Sequence, residues 1–168
     1  MSELALLLDS VRSGDKTAFA ALYEKMKKPA FTVILRITRD FALSEDILQE
    51  LFLKIYLSPP VNISTPRAYI FRMARNLAID SMRKQKTEDG LEAAEQLWQT
   101  HEDISAKLDI ENAIMTLAER ERMIVTLHIN GELKFREVAE VMDIPLGTIL
   151  WAYRKAIGQL RSILGGVL

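Results

Sequence analysis

The sequence predicts an all-α protein made of two small helical domains joined by an acidic tether. Apolar residues recur with a period near 3.6 through almost every segment, and no strand-like alternation persists. Hydrophobic residues make up 49% of the 168 residues, which argues against global disorder. The sign of the charge also changes abruptly along the chain. We expect the two domains at residues 1–87 and 108–168, with the tether at 88–107.

Helix-start and helix-stop signals predict the elements of the first domain in order. Asp15 is a candidate N-cap of a helix that we expect to end before Pro29, and a second helix begins near Ala30. Ser44 is a candidate cap for a third helix, because the two acids that follow it would then lie in the first turn. That helix should stop at Pro59-Pro60.

A long basic helix follows. Thr65-Pro66 combines a cap with a proline at the first helical position, and the helix should run to about Lys86. It contains six bases and a single acid, Asp80. At about 100° per residue, one face is apolar, and the opposite face forms a basic stripe. Its members are Arg72, Arg75, Asn76, Arg83 and Lys86, with Tyr69 at its edge.

The basic stripe has two interpretations. A solvated face is the ordinary one, but such a face usually mixes signs for i,i+4 pairing. We therefore favour a surface that tracks phosphates, with Tyr69 and Phe71 as rings on which an unpaired base would stack. From Thr87 to Glu121 the chain has ten acids and two bases. The partner of the basic helix would repel this segment, so we interpret it as a linker.

Four helices are predicted in the second domain, and the last two have helix-turn-helix form. In "FREVAEVMDIPLGTILWAY", Ala139 occupies the small-residue position where the helices cross, and Gly147-Thr148 opens the second helix. The predicted buried stripe of that helix is Ile149, Tyr153, Ala156, Leu160 and Ile163. Facing away are Leu150, Trp151, Arg154, Lys155 and Arg161. An ordinary helical hairpin is the alternative.

Other classes of function are poorly supported. His101 and His128 lie far apart without a partner at metal-ligand spacing, the chain has no cysteine, and there is no glycine-rich phosphate loop. We therefore expect no enzymatic activity, no metal and no cofactor. The start "MSELALLLDS" lacks a basic region, and no uncharged run approaches a membrane span. A cytoplasmic protein without membrane insertion is expected.

Four stretches occur in an order and spacing that resembles bacterial sigma factors of the extracytoplasmic-function group, which are sigma-70-like: "DKTAFAALYEKM", "SEDILQELFLKIY", "PRAYIFRMARNLAIDSMRKQK" and "LAERERMIVTLHINGELKFREVAEVMDIPLGTI". The resemblance covers nearly the whole chain except the tether. It implies a region-two-like domain at 1–87, a region-four-like domain at 108–168, and promoter recognition with strand opening in transcription initiation.

The resemblance also implies partners and residues. The third helix would dock on the coiled coil of the largest subunit of core RNA polymerase, the basic helix would hold the −10 element, the loop before it would take up a flipped base, and the terminal helix would read the −35 element. An anti-sigma factor stays open as a further partner. The expected polymerase-binding residues are Asp46, Gln49, Glu50, Phe52 and Lys54. The expected DNA-binding residues are Asn62, Tyr69, Arg72, Arg75, Asn76, Arg83, Lys86, Arg136, Thr148, Trp151, Arg154 and Lys155.

The sequence departs from the family pattern in three respects. Leu150, Trp151 and Ala152 stand where basic residues usually follow "GTI", which puts the −35 reading in question. Lys134 stands where a capping Ser or Thr is common, and Ala118 where proline is frequent. Trp151 has two interpretations, contact with a thymine methyl or packing against a protein.

Two other functions stay open at this level. One is a stand-alone helix-turn-helix regulator that binds duplex DNA without polymerase, with the "SEDILQELFLK" face as a dimer surface. The other is a sigma-like module that binds only proteins.

Overall fold

The computed structural model describes residues 1–89 and 105–165, and every regular element in these ranges is helical. The all-α prediction is confirmed. The elements are α1 Glu3–Arg12, α2 Lys16–Thr38, α3 Phe41–Leu57, α4 Pro66–Asp89, α5 Ser105–Thr116, α6 Glu119–Val125, a π-turn Thr126–Asn130, α7 Phe135–Met142 and α8 Leu146–Ile163. The chain divides into two compact units, Met1–Ala93 and Ala94–Leu168. The structure does not describe residues 90–104, so most of the tether predicted at 88–107 lies outside the described residues.

The first unit packs α2 against α1, α3 and α4. The sequence patterns did not predict α1, whose buried side chains Leu4, Leu8 and Val11 lie at helical spacing on one face. At the start of α2, Asp15 is the N-cap, as predicted. Its carboxylate accepts hydrogen bonds from the N–H groups of Ala18 and Thr17, which lower the pKa of Asp15 below its ordinary value.

The predicted break at Pro29 is wrong, because α2 continues through it to Thr38. A proline inside a helix removes one hydrogen bond and costs about 3 kcal/mol. The neighbouring residues Met26, Ala30 and Val33 are completely buried. Burial of this face offsets the local cost, so tertiary packing decides the length of the helix.

The predicted cap at Ser44 is also wrong. Asp40 caps α3 instead, since its carboxylate accepts the N–H of Leu43 at 3.0 Å. Ser44 is buried one turn inside the helix, and its hydroxyl lies 2.7 Å from that of Thr38. The stop before Pro59-Pro60 and the start of α4 at Pro66 agree with the prediction.

The second unit packs α8 against α5, α6 and α7. The predicted turn at Asn130-Gly131 lies at the end of the π-turn Thr126–Asn130. There the helix that begins at Glu119 widens over its last five residues. Part of the core is an apolar cluster under α8, formed by Ala113, Ile114, Leu117, Val125, Ala156 and Leu160. This packing leaves the outward face of α8 exposed.

Candidate nucleic-acid and polymerase interfaces

The basic stripe lies on the exposed side of α4. Arg72, Asn76, Arg83 and Lys86 are exposed, while Tyr69 and Arg75 are half-buried. The residues that anchor the opposite face are fully buried: Ile70, Phe71, Ala74 and Ala78. The expected stacking of a base on Phe71 is therefore wrong, because its ring belongs to the core. Because α4 is a continuous helix, the stripe runs for about 25 Å from Tyr69 to Lys86 at about 1.5 Å per residue.

The bases of α4 differ in their surroundings. Arg67 is half-buried and packs inward, with its guanidinium 5.8 Å from the centre of the Phe71 ring. Arg72 and Arg75 have interaction partners inside the structure. Arg83 and Lys86 form no ion pair with any described residue. The C-terminal half of α4 therefore presents the most accessible positive charge of the stripe.

Asn62 lies in the loop before α4. It has a left-handed backbone with φ of 53°, a conformation that asparagine tolerates better than most residues. The residue is exposed and borders a small cavity of about 140 Å³. The cavity is lined by Met1, Ala5, Leu8, Asp9, Pro60, Asn62, Ile63 and Pro66. The loop thus combines polar groups and a recess next to the N-terminus of α4.

The candidate polymerase-docking face lies on α3. Four of its five predicted members are exposed: Asp46, Gln49, Glu50 and Lys54. Lys54 Nζ lies 3.7 Å from Glu50 Oε1, one helical turn away. The face therefore offers carboxylate, amide and ammonium groups to a partner.

The fifth member, Phe52, does not belong to this face. Its side chain is only 3% exposed, and its ring packs edge-on against Tyr23 with centroids 4.8 Å apart. A buried ring cannot contact another protein without opening the domain. We correct this assignment: Phe52 is a core residue whose burial holds α3 against α2.

The helix-turn-helix of the second unit consists of α7 and α8. Asp143 ends α7 in a left-handed conformation with φ of 53°, and Pro145 precedes the first residue of α8. Val138 and Ile149 are completely buried between the helices, and Ala139 is half-buried. The predicted poor capping of α7 is observed, because the side chain of Lys134 accepts no hydrogen bond from the first turn. Only the other half of a capping box forms, in which the backbone N–H of Lys134 donates to Glu137 Oε2 at 2.7 Å.

The observed buried stripe of α8 differs from the predicted one at three residues. Ile163 was expected to be buried but is 52% exposed, and Tyr153 is only half-buried. Ala152 is completely buried although the pattern did not include it. Ala152 therefore belongs to the buried stripe, where its small side chain is closely surrounded.

The outward face of α8 carries the candidate duplex-binding residues. Trp151 is 61% exposed, Arg154 and Lys155 are exposed, and Thr148 is half-buried near the start of the helix. Arg136 is exposed on α7. Of the residues expected to face away from the buried stripe, Trp151, Arg154, Lys155 and Arg161 are exposed, and Leu150 is half-buried.

Lys155 has two partners that sequence reasoning missed. Its Nζ lies 3.4 Å from Glu121 Oε1, and it also lies 5.3 Å from the centre of the Trp151 ring. The Glu121 side chain is only 6% exposed. The i,i+4 spacing of Trp151 and Lys155 is a sequence signal for the ring contact, but no local pattern identifies Glu121, which is 34 residues away.

The described helices include none with the length and apolarity that crossing a membrane requires. Within residues 1–89 and 105–165, no three His, Asp or Glu side chains are grouped so as to hold a metal ion. The exposed side chains of α3, α4 and α8 offer charge, hydrogen bonds and aromatic surface, and these are groups suited to binding.

Comparison with protein families assigns each unit. Residues 22–88 match the model of Sigma-70 region 2, and residues 107–156 match that of Sigma-70, region 4. The chain is similar to the ECF RNA polymerase sigma factor SigW of Bacillus subtilis (strain 168), with 27% identity over 92% of this chain and 93% of that protein. It is also similar to SigK of Mycobacterium tuberculosis (strain ATCC 25177 / H37Ra), with 25% identity over 97% and 94%.

Two solved structures share the fold. The sigma factor RpoE in complex with the anti-sigma factor NepR from Bartonella quintana aligns with a TM-score of 0.68 at 19% identity, covering 99% of this chain and 96% of that one. CnrH in complex with the cytosolic domain of CnrY aligns with a TM-score of 0.66 at 15% identity, covering 98% of each chain.

The matched regions follow each other in the order that the basic helix and the helix-turn-helix predict, and together they cover more than half of the chain. These findings do not favour a stand-alone regulator or a module that binds only proteins. The chain belongs to the extracytoplasmic-function family of bacterial RNA polymerase sigma factors, and it is a sigma factor that directs transcription initiation.

Proposed function

We propose that this sigma factor binds core RNA polymerase through α3, holds the separated strands of the −10 element on α4, and reads the −35 duplex with α8. The observation that carries this proposal is the basic stripe of α4, which lies on a helix whose other face is anchored in the core by Ile70, Phe71, Ala74 and Ala78. A rigid helix with charge on one side can follow a polyanion without rearranging the domain.

The contact with polymerase uses Asp46, Gln49, Glu50 and Lys54. These four side chains project from one continuous helix, so their spacing does not depend on a loop. Their mixture of charges favours a partner surface with its own complementary groups rather than a nucleic acid. Core polymerase is therefore the occupant that we assign to α3.

Strand opening needs a surface that binds splayed bases better than paired ones. Flipping a base costs a few kcal/mol, and stacking on an aromatic side chain returns about 1–3 kcal/mol per base. Tyr69 supplies such a ring at the start of the stripe, and Asn62 supplies hydrogen-bonding groups in the loop before it. Arg72, Arg75, Asn76, Arg83 and Lys86 bind the phosphates of the same strand. No covalent bond is made or broken, so the protein acts without catalytic residues of its own.

The helix-turn-helix supplies the second anchor. Arg154 on α8 and Arg136 on α7 contact phosphates and hold the register, while Thr148 and Trp151 face the base edges. Both anchors act in the cytoplasm, where core polymerase and promoter DNA are found. An anti-sigma factor is a further partner, since two proteins of the same fold have been solved in complexes, one with a named anti-sigma factor.

Reconstitution tests the proposal directly. The purified full chain is mixed with core polymerase and passed over a sizing column, and the complex is then offered duplex, forked and single-stranded promoter DNA. We expect co-elution with core, and binding to forked DNA that exceeds binding to duplex. Failure to co-elute would contradict the role of α3, and equal binding of forked and duplex DNA would contradict the role of α4.

A further inference from the structure

A single indole dominates the outward face of α8. At about 100° per residue, Gly147, Trp151 and Gly158 fall within an arc of about 40° on the side opposite the buried stripe. A side chain added at either glycine would meet open space, so neither glycine is required by packing inside the unit. Bare backbone therefore lies on both sides of the 61%-exposed Trp151 along the helix. Because neither glycine has a side chain, a partner surface can approach the backbone of α8 closely while the indole of Trp151 projects into that surface.

The charge of α8 indicates which surface approaches. From Leu146 to Ile163 the helix has no acid, and its exposed charges without an ion pair to any described residue are Arg154 and Arg161. A helix with an entirely positive outward face complements a polyanion rather than a mixed protein surface. Trp151 is the sixth residue of α8, in the N-terminal half of the helix, which is the part that reaches base edges in this class of motif.

Lys155 does not have the surroundings of a phosphate-binding lysine. Its ammonium lies 3.4 Å from the buried carboxylate of Glu121 and 5.3 Å from the centre of the Trp151 ring. The ion pair neutralises its charge, and a buried carboxylate that loses its counter-ion is strongly destabilised. Lys155 is thus held from below by Glu121 and lies over the ring of Trp151.

We propose, resting on the proposed reading of the −35 duplex, that Trp151 determines sequence specificity by covering the C5-methyl group of a thymine, and that Lys155 is a positioning residue for the indole rather than a phosphate contact. The major groove is where that methyl group is displayed, and apolar side chains are what recognise it. An indole held in one orientation can cover a methyl at one base pair, whereas an arginine or lysine at the same position would donate hydrogen bonds to O6 and N7 of guanine.

The test removes the methyl group alone. Wild-type holoenzyme first selects promoter duplexes from a random-sequence library, and each thymine of the upstream element is then replaced by deoxyuridine. We expect one position at which this change weakens binding about three- to fivefold, as burial of one methyl group predicts. For Trp151→Ala holoenzyme, thymine and deoxyuridine should bind equally at that position. Arg161→Ala is the matched control, and it should weaken both duplexes equally.

The role of Lys155 has its own readout. Lys155→Gln should reduce the thymine preference while leaving the slope of log affinity against log salt unchanged, and Lys155→Arg should restore the preference because arginine also stacks on aromatic rings. Arg154→Ala should instead lower the slope by about one unit. Circular dichroism of each full-length variant establishes that the helices are retained. If Lys155→Gln does not fold, Glu121→Gln tests the same clamp, because it frees Lys155 without burying an unpaired charge.

The outcomes separate the possible failures. If wild-type holoenzyme selects no upstream sequence, the proposed −35 reading fails before Trp151 is tested. If a sequence is selected but no thymine is sensitive to loss of its methyl, or Trp151→Ala keeps the same sensitivity, this inference is overturned and the −35 reading stands. A Trp151→Ala variant that no longer co-elutes with core polymerase would show that the indole packs against a protein, and this would also overturn the inference. A lower salt slope for Lys155→Gln would make that lysine a phosphate contact.

Discussion

The imidazole of His128 stacks on the phenyl ring of Phe135, with ring centroids 4.0 Å apart and an angle of 16° between the planes. Tyr153 meets both rings edge-on, at 5.0 Å from His128 and 4.9 Å from Phe135. His128 Nδ1 also lies 2.8 Å from the carbonyl oxygen of Leu133. The three rings join the π-turn, α7 and α8, so the geometry of the turn affects how α8 is placed against α7.

The first prediction concerns Gly131, which follows the π-turn. A Cβ at this position would collide with the backbone carbonyl of Leu127, which cannot rotate away as a flexible side chain can. We expect Gly131→Ala to destabilise the second unit by about 1–3 kcal/mol. Hydrogen exchange of amides in α7 and α8 of the full chain measures the loss.

Gly158→Ala is the matched control for that prediction. Gly158 lies inside α8 with open space at its Cβ position, so alanine should stabilise the helix by about 0.5–1 kcal/mol. Equal effects of the two substitutions would show that close contact with Leu127 does not govern the turn.

A second prediction concerns the incomplete cap of α7. Glu137 already bonds to the backbone of Lys134, but a lysine ammonium cannot accept a hydrogen bond in return. Lys134→Ser should complete the capping box and stabilise the unit by about 1 kcal/mol relative to Lys134→Ala. For a domain of this size the midpoint of thermal unfolding should rise by about 4–8 °C. No difference between the serine and alanine variants would contradict this account.

The burial of Phe52 leads to a third prediction. Phe52→Ala removes a ring that packs edge-on against Tyr23, and we expect it to cost about 3–5 kcal/mol in the stability of the first unit. Its neighbour Leu53 is 56% exposed, so Leu53→Ala should cost much less. Chemical unfolding of each variant, together with hydrogen exchange of the amides in α2 and α3, measures the difference in stability between Phe52→Ala and Leu53→Ala. A stable Phe52→Ala variant with weakened polymerase binding would restore the residue to the docking face.

The fourth prediction addresses the basic stripe. Arg72→Ala with Arg83→Ala should weaken binding of the holoenzyme to forked promoter DNA and lower the salt slope by about 0.7 units per lost phosphate contact on a single strand. Lys16→Ala with Lys28→Ala removes the same charge from exposed positions of α2. This control should leave the slope of log affinity for forked DNA against log salt nearly unchanged. Titrations at several salt concentrations give both slopes. Identical slopes for the two double variants would contradict phosphate tracking by α4.

The fifth prediction separates docking from folding. Asp46→Ala with Gln49→Ala should abolish co-elution with core polymerase, whereas stability should change by only about 0.5 kcal/mol because both side chains are exposed. Glu24→Ala, at an exposed acid of α2, is the control and should retain polymerase binding. Loss of the helical signal in the double variant would show that these residues support the fold.

The sequence predicted which segments are helical better than it predicted the residues at which each helix begins and ends. Pro29 was expected to end a helix, because propensity describes an isolated segment and not the buried face that carries α2 through it. Ser44 was chosen as a cap although Asp40 is an equally good candidate, and only packing against Thr38 separates them. Helix α1 was missed, although Leu4, Leu8 and Val11 already show the necessary spacing.

In the candidate sites, features set by residues close in sequence could be predicted, whereas contacts between residues far apart in sequence could not. The stripe on α4 follows from helical periodicity alone, since all its members lie within five turns. Phe52 was misassigned because a family motif does not state which of its members point inward. The pairing of Glu121 with Lys155 spans 34 residues and depends on how α6 meets α8, which no local pattern contains.

The π-turn at Thr126–Asn130 also bears on changes in chain length. A π-turn accommodates one residue more than the α-helical turn that it replaces, so this segment carries a local surplus. Deleting one residue there, such as the exposed Ile129, would remove the surplus and restore α-helical winding with little net rotation of the chain that follows. The same deletion inside the regular turns of α8 has no surplus residue to absorb it, so every later side chain would rotate by about 100° around the helix axis. A one-residue deletion at the π-turn should therefore be tolerated better than one within α8.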